Sequence, residues 1–111
     1  MELESRQERV RSMWRSICAD LENRRAAIHA EITAYPTPIP ACDADFNHLL
    51  EERAKILHEM DIASSASRTR EDSGHATLAI EQFIARSKHI SEKTRHTLEL
   101  ELTVCNSRAE Q

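Results

Sequence analysis

Cys42, Asp43, Asp45 and His48 fall within one short stretch of the chain, bringing a nucleophile, two carboxylates and an imidazole together. A thiol in the first turn of a helix is favoured as thiolate by the positive end of the helix dipole. That would suit a redox sensor or a covalent catalyst. The two aspartates act the other way, because neighbouring negative charge raises a thiol pKa. They also have a structural use: carboxylates at a helix start accept from free backbone N–H groups and oppose the dipole. His48 lies past one and a half turns from Cys42, so no imidazole is fixed locally against the sulfur. The junction is a candidate functional site whose simpler use is to begin a helix.

The six histidines raise the question of a metal. Ligands on one helix need i,i+3 or i,i+4 spacing to share an ion, and no two of His29, His48, His58, His75, His89 and His96 are that close. His89 and His96 share a face but stand two turns apart, ~10.5 Å along a helix. Glu92 and His96 would supply half a site at most, and a solvated charge pair accounts for them equally well. Gly74 is the only glycine, which excludes the glycine-rich loops that cradle the phosphates of ATP or NAD. With no catalytic set, cofactor loop or metal spacing, the chain is expected to be non-catalytic and without a cofactor.

Composition sets the elements that must carry these residues. The chain has 111 residues, enough for one domain with a modest core. Charged residues make up 31%, and the aromatic side chains are Trp14, Tyr35, Phe46 and Phe83. A core of Leu, Ile and Ala with almost no glycine points to helices, not to a sheet.

Three segments follow. From about 5 to 34 the apolar positions Val10, Trp14, Ile17, Leu21, Ile28, Ile32 and Tyr35 recur three or four apart, one stripe of a long helix. Arg24 fills the expected position between Leu21 and Ile28, either as a register device or, the preferred reading, with its aliphatic stem over the core edge. Pro36, Pro38 and Pro40 then stop the helix. Each disfavours the α region for the residue before it, which predicts a stiff, extended rod able to cross a bundle end. Such a rod could also dock in an aromatic groove of a partner, although Tyr35 and Ile39 are better used in covering the apolar end of the bundle.

The second helix is predicted over 43–66, its stripe formed by Phe46, Leu49, Leu50, Ala54, Leu57, Met60 and Ala63. His48, Glu51, Glu52, Lys55 and Glu59 take the solvent face. A serine-rich connection, 64–74, leads to a third helix over 73–106 with the stripe Ala76, Ile80, Phe83, Ile90, Leu98, Leu102 and Cys105. Leu100 and Val104 form a second apolar line on its last turns. The expected fold is all-α: an elongated antiparallel three-helix bundle in a single domain.

The formal net charge is −4, which weighs against nucleic acid as the principal partner. The charge is unevenly placed. Residues 6–25 carry six arginines against three carboxylates, while residues 43–62 carry two cations against six. Complementary packing of these two helices explains the difference; an arginine-faced helix using Arg11 and Arg15 on DNA or RNA is the alternative. The opening residues lack the apolar core of a signal peptide, and no apolar run approaches ~18 residues. Three cysteines far apart make no disulfide framework. A cytoplasmic setting is the simplest expectation. The leading reading is a helical interaction or scaffold module that forms a homodimer, with Leu100 and Val104 left for the second chain.

Overall fold

The first helix, α1, spans Glu2–Thr33, about 48 Å at 1.5 Å per residue, and everything else packs along it. The computed structural model describes the backbone of residues 2–39, 43–68 and 73–109, and the side chains of 7–39, 43–68 and 77–105. The four helices among the described residues are α1, α2 (Ala44–Arg68), α3 (Ser73–Arg86) and α4 (Glu92–Ala109). The fold is all-α, and the molecule measures 61 × 24 × 18 Å.

α1 follows the 3-and-4 spacing of its apolar residues. Met13, Ile17 and Leu21 are fully buried, with Val10, Trp14 and Ile28 nearly so. Arg24 is exposed, and it is Arg25 that is half-buried. The stem of Arg24 therefore does not cover the core; Arg25 turns instead to Glu22, at 2.6 Å. α1 ends by tightening: the Tyr35 N–H donates to Ile32 O at 3.3 Å, one residue closer than an α-helical bond, and Pro36 has no N–H to continue.

The proline segment is not a rod laid across the bundle end. The described part bends, and its Thr37–Pro38 peptide is cis. Its two flanks meet: the Tyr35 hydroxyl donates to the Asp43 carboxylate at 2.8 Å from either oxygen. The Tyr35 ring lies edge-on to Phe46, centroids 5.0 Å apart. Asp43 also accepts the Phe46 N–H at 2.9 Å, the N-cap bond of α2. One carboxylate thus starts α2 and closes the α1–α2 turn. The backbone N–H of Phe46 and the Tyr35 hydroxyl together hold it below the usual carboxylate range.

α2 returns antiparallel along α1 with part of its predicted stripe inward: Ala63 is buried and Phe46, Leu49, Leu50 and Met60 are half-buried. Ile56 and Ala63 are buried, whereas Ala54 is exposed and Leu57 is 47% exposed. Glu52, Glu59 and Ala66 are half-buried on a line with the buried Ile56 and Ala63, with spacing 4-3-4-3. Glu52 and Glu59, expected on the solvent face, are drawn inward by partners on the far side of the chain.

The predicted third helix is two helices. Ser87–Ser91 breaks it, and α3 and α4 fold back on each other, with Glu81, Ile84 and Ala85 facing Glu99, Leu102 and Thr103 across a surface groove. The bundle accordingly has four helices in place of three. The break is built from side chain to backbone bonds. Ser87 Oγ accepts the N–H groups of His89 and Ile90, at 3.3 and 3.4 Å. Ser91 Oγ caps α4 by accepting the Thr94 N–H at 3.2 Å. Arg95 donates to Ser87 O at 2.6 Å, and Asp20 of α1 accepts the Ser91 N–H at 2.6 Å.

The main core lies where α1, the end of α2, α3 and α4 all meet. Ile17 and Leu21 pack with Ile80, Ile84, Leu98 and Leu102, and Trp14 meets Phe83 edge-on at 5.7 Å. The register of α2 is open to a direct test by denaturant unfolding. Ile56→Ala is expected to destabilise by ~2–5 kcal/mol as a buried large-to-small change. Its neighbour Leu57→Ala should stay within ~0.5 kcal/mol as a surface change. The reverse order would put Leu57 inward in place of Ile56.

Candidate functional site

Turning α2 inward brings together four residues that no single helix holds. Glu52 and Glu59 stand two turns apart with Ile56 between them, and His89, from the α3–α4 corner, lies over that face. The His89 side chain is 5% exposed. Its Nε2 meets Glu52 Oε2 at 2.9 Å, and its Nδ1 is hydrogen-bonded to Glu59 Oε2. Ser87 Oγ donates to the other oxygen of Glu59. His48 reaches Glu52 at 3.8 Å from the exposed side. Every polar atom of this buried ring is thereby partnered, as burial requires.

The hydrogen-bond count constrains the protons. A neutral imidazole has one donor nitrogen and one acceptor nitrogen, and ionised carboxylates only accept. The His89 hydrogen bond holds the Glu52 carboxyl below its ordinary range, with burial acting against it. Glu52 is therefore the ionised partner, and Nε2 carries a proton towards it. The Nδ1–Glu59 contact needs a second proton. The ring is thus a bridge between two acids and not one half of a simple ion pair.

This arrangement differs from a nucleophilic triad. In a triad the serine hydroxyl gives its proton to the imidazole; here Ser87 gives it to Glu59, and its lone pairs face the N–H groups of His89 and Ile90. Ser87 is a corner-forming residue. Among the described residues, no group of three His, Cys, Asp or Glu side chains has the geometry to hold a metal ion.

The gap between α2 and α3 forms a surface groove of about 300 Å³ beside the cluster. Its lining includes the buried rings of Trp14 and Phe83 together with Glu59 and Ser87. The cluster therefore touches accessible space through Glu59.

The candidates seen in the sequence lie elsewhere. Cys42 is outside the described residues. Asp43 is the α2 cap and the partner of Tyr35, Asp45 is exposed in the first turn, and His48 is exposed beside Glu52. His48 alone of these reaches the cluster. Cys18 is half-buried, and burial raises its thiol pKa; Cys105 is buried. Arg11 and Arg15 are exposed, one turn apart on α1. Among the described residues no α1 arginine pairs with an α2 carboxylate; the α1 pair is Arg25 with Glu22. Among the described residues, the opposite charges of α1 and α2 are not joined by direct bridges.

Reading the sequence missed Glu52, Glu59 and His89 as a set because all three look like solvated residues in a hydropathy stripe. The available signal was the unbroken 4-3-4-3 line from Glu52 to Ala66, together with hydroxyl residues bracketing His89 at Ser87 and Ser91. No known family model, curated protein or solved structure matches the chain.

His89→Ala removes the imidazole partner from both inward carboxylates and leaves Glu59 with Ser87 alone. It is expected to cost ~3 kcal/mol or more in denaturant unfolding, against less than ~0.5 kcal/mol for the exposed His48→Ala. The pH dependence has a definite sign. Because the folded pKa of Glu52 is depressed, its contribution is fully present above the ordinary ~4.3 and is lost as pH falls through the folded value. The stability difference between the wild type and Glu52→Gln should therefore be full above the ordinary carboxylate range and shrink as pH falls below ~4.3. A difference that is flat across this range would refute the assignment.

Proposed function

We propose that the chain is a non-catalytic helical interaction module that forms a homodimer, the outer face of α4 being its contact surface. The observation that carries this reading is the pair Leu100 and Val104, 57% and 45% exposed and one turn apart. They project from α4 on the side away from Leu98, Leu102 and Cys105, which are buried in the core. Single exposed apolar residues are ordinary on a protein surface. Two at i,i+4 form a helical contact line of the kind that coiled coils extend. Apolar side chains left in water on a helix whose core face is already filled gain free energy when a second copy covers them.

A second reading rests on Arg11 and Arg15. Both are exposed on one side of α1 without the α2 carboxylates that the charge pattern led us to expect as partners, so they remain available to phosphate groups. On this reading the module is a small nucleic-acid-associated regulator. No helix of the described residues is long and apolar enough to cross a membrane, and a cytoplasmic setting fits both readings.

Sedimentation equilibrium separates them. The wild type is expected to show the dimer mass at high micromolar concentration, and Leu100→Glu with Val104→Glu the monomer mass, with helical content unchanged. A wild type that stays monomeric throughout would remove the dimer. A salt-dependent shift of labelled DNA or RNA, lost in Arg11→Glu with Arg15→Glu, would establish the second reading instead.

A further inference from the structure

The groove between α2 and α3 shares two residues with the His89 cluster, Glu59 and Ser87, and its depth is aromatic. Trp14 and Phe83 are buried beneath it. Ala66 and Ala79 line its walls, and their short side chains leave open the space between the helices that longer ones would fill. At about 300 Å³ it sits at the lower end of small-molecule sites, ~300–1,000 Å³. That is room for a single ring with a short side chain.

The Glu59 end of the groove has a definite chemistry. The Ser87 hydroxyl proton is committed to one Glu59 oxygen and His89 Nδ1 meets the other. Each carboxylate oxygen keeps further acceptor capacity. What remains at this end is acceptor only. Its charge is also one-sided: Glu52 and Glu59 together outweigh His89 even when the ring carries both protons. A ligand group seated against Glu59 must donate hydrogen bonds and carry positive charge. Gln82 and Arg86 also line the groove, so an anionic group would pair with Arg86 and not with Glu59.

We infer that the α2–α3 groove binds a small organic cation, a protonated primary amine on a single-ring apolar body. The ammonium sits at Glu59, and the ring lies over Trp14 and Phe83 between Ala66 and Ala79. The hydrogen bond to Glu59 is charge-assisted and partly shielded from water, which makes it the strongest single contact. This site is separate from the α4 face and does not depend on self-association.

Trp14 is the only tryptophan in the chain, so its emission reports on the groove directly. The full chain would be titrated with 2-phenylethylamine and, in parallel, with 3-phenylpropionate, which keeps the ring and spacer but carries a carboxylate. The amine is expected to give a saturable change in Trp14 emission below about 10 mM, and the carboxylate none. Glu59→Gln should weaken amine binding at least ~10-fold. Because Glu59→Gln also disturbs the cluster, Ala79→Leu serves as the second variant. It fills the groove without touching Glu59 or His89 and should abolish the response with circular dichroism unchanged. Three results would each overturn the assignment: no saturable response to the amine, an equal or stronger response to the carboxylate, or an undiminished response in Ala79→Leu.

Discussion

The imidazole of His89 between Glu52 and Glu59 is the constraint on which the rest of the arrangement depends. Two carboxylates on the inward face of a helix are tolerated only if they are partnered, because an unpaired buried charge is far more expensive than the pair itself is favourable. The ring supplies both partners at once. Its position then dictates that α2 present Glu52, Ile56 and Glu59 inward. It also dictates that the third stretch of helix be broken, so that the ring can leave the helix and reach them. Ser87 completes the arrangement from both sides, donating to Glu59 and accepting the N–H groups that the break exposes.

A similar solution appears at the other end of α2. There Asp43 joins the α1–α2 turn to the helix it starts, through Phe46 N–H and the Tyr35 hydroxyl. In each case a carboxylate ties a connection to α2, and apolar packing fills the space between. This suits a chain with few aromatic residues and a thin core, in which packing alone specifies helix rotation weakly. Buried polar contacts fix register where leucines and alanines would tolerate several. The core that holds the two short helices against α1, from Trp14 and Ile17 to Ile80 and Leu98, then follows from ordinary burial.

How much of this was legible follows from which forces write to local sequence. The all-α class, the stripe of α1 and its end at the prolines were readable, because spacing and proline chemistry are local. The role of Asp43 as a helix-start carboxylate was readable for the same reason, although its bond to Tyr35 was not. The face of α2 was only partly readable from hydropathy. Leu50 and Met60 turn partly inward as their type suggests, but Leu57 faces solvent, and the inward turn of Glu52 and Glu59 depends on a ring some thirty residues further along. The division into α3 and α4 was missed because Ser87 and Ser91 weaken a stripe only slightly, whereas their hydroxyls terminate and restart helices decisively. Leu100 and Val104 were identified as exposed apolar positions because a helix has one core face, and Leu98, Leu102 and Cys105 already occupied it.

His89 and the α2 carboxylates act as one unit anchoring the α3–α4 corner. A double-mutant cycle between Glu59→Gln and His89→Ala, followed by denaturant unfolding, should therefore give non-additivity of at least ~1 kcal/mol, because each substitution removes the same contact. Additivity within ~0.3 kcal/mol would contradict this, leaving the two residues as independent neighbours and the inward turn of Glu59 without a cause.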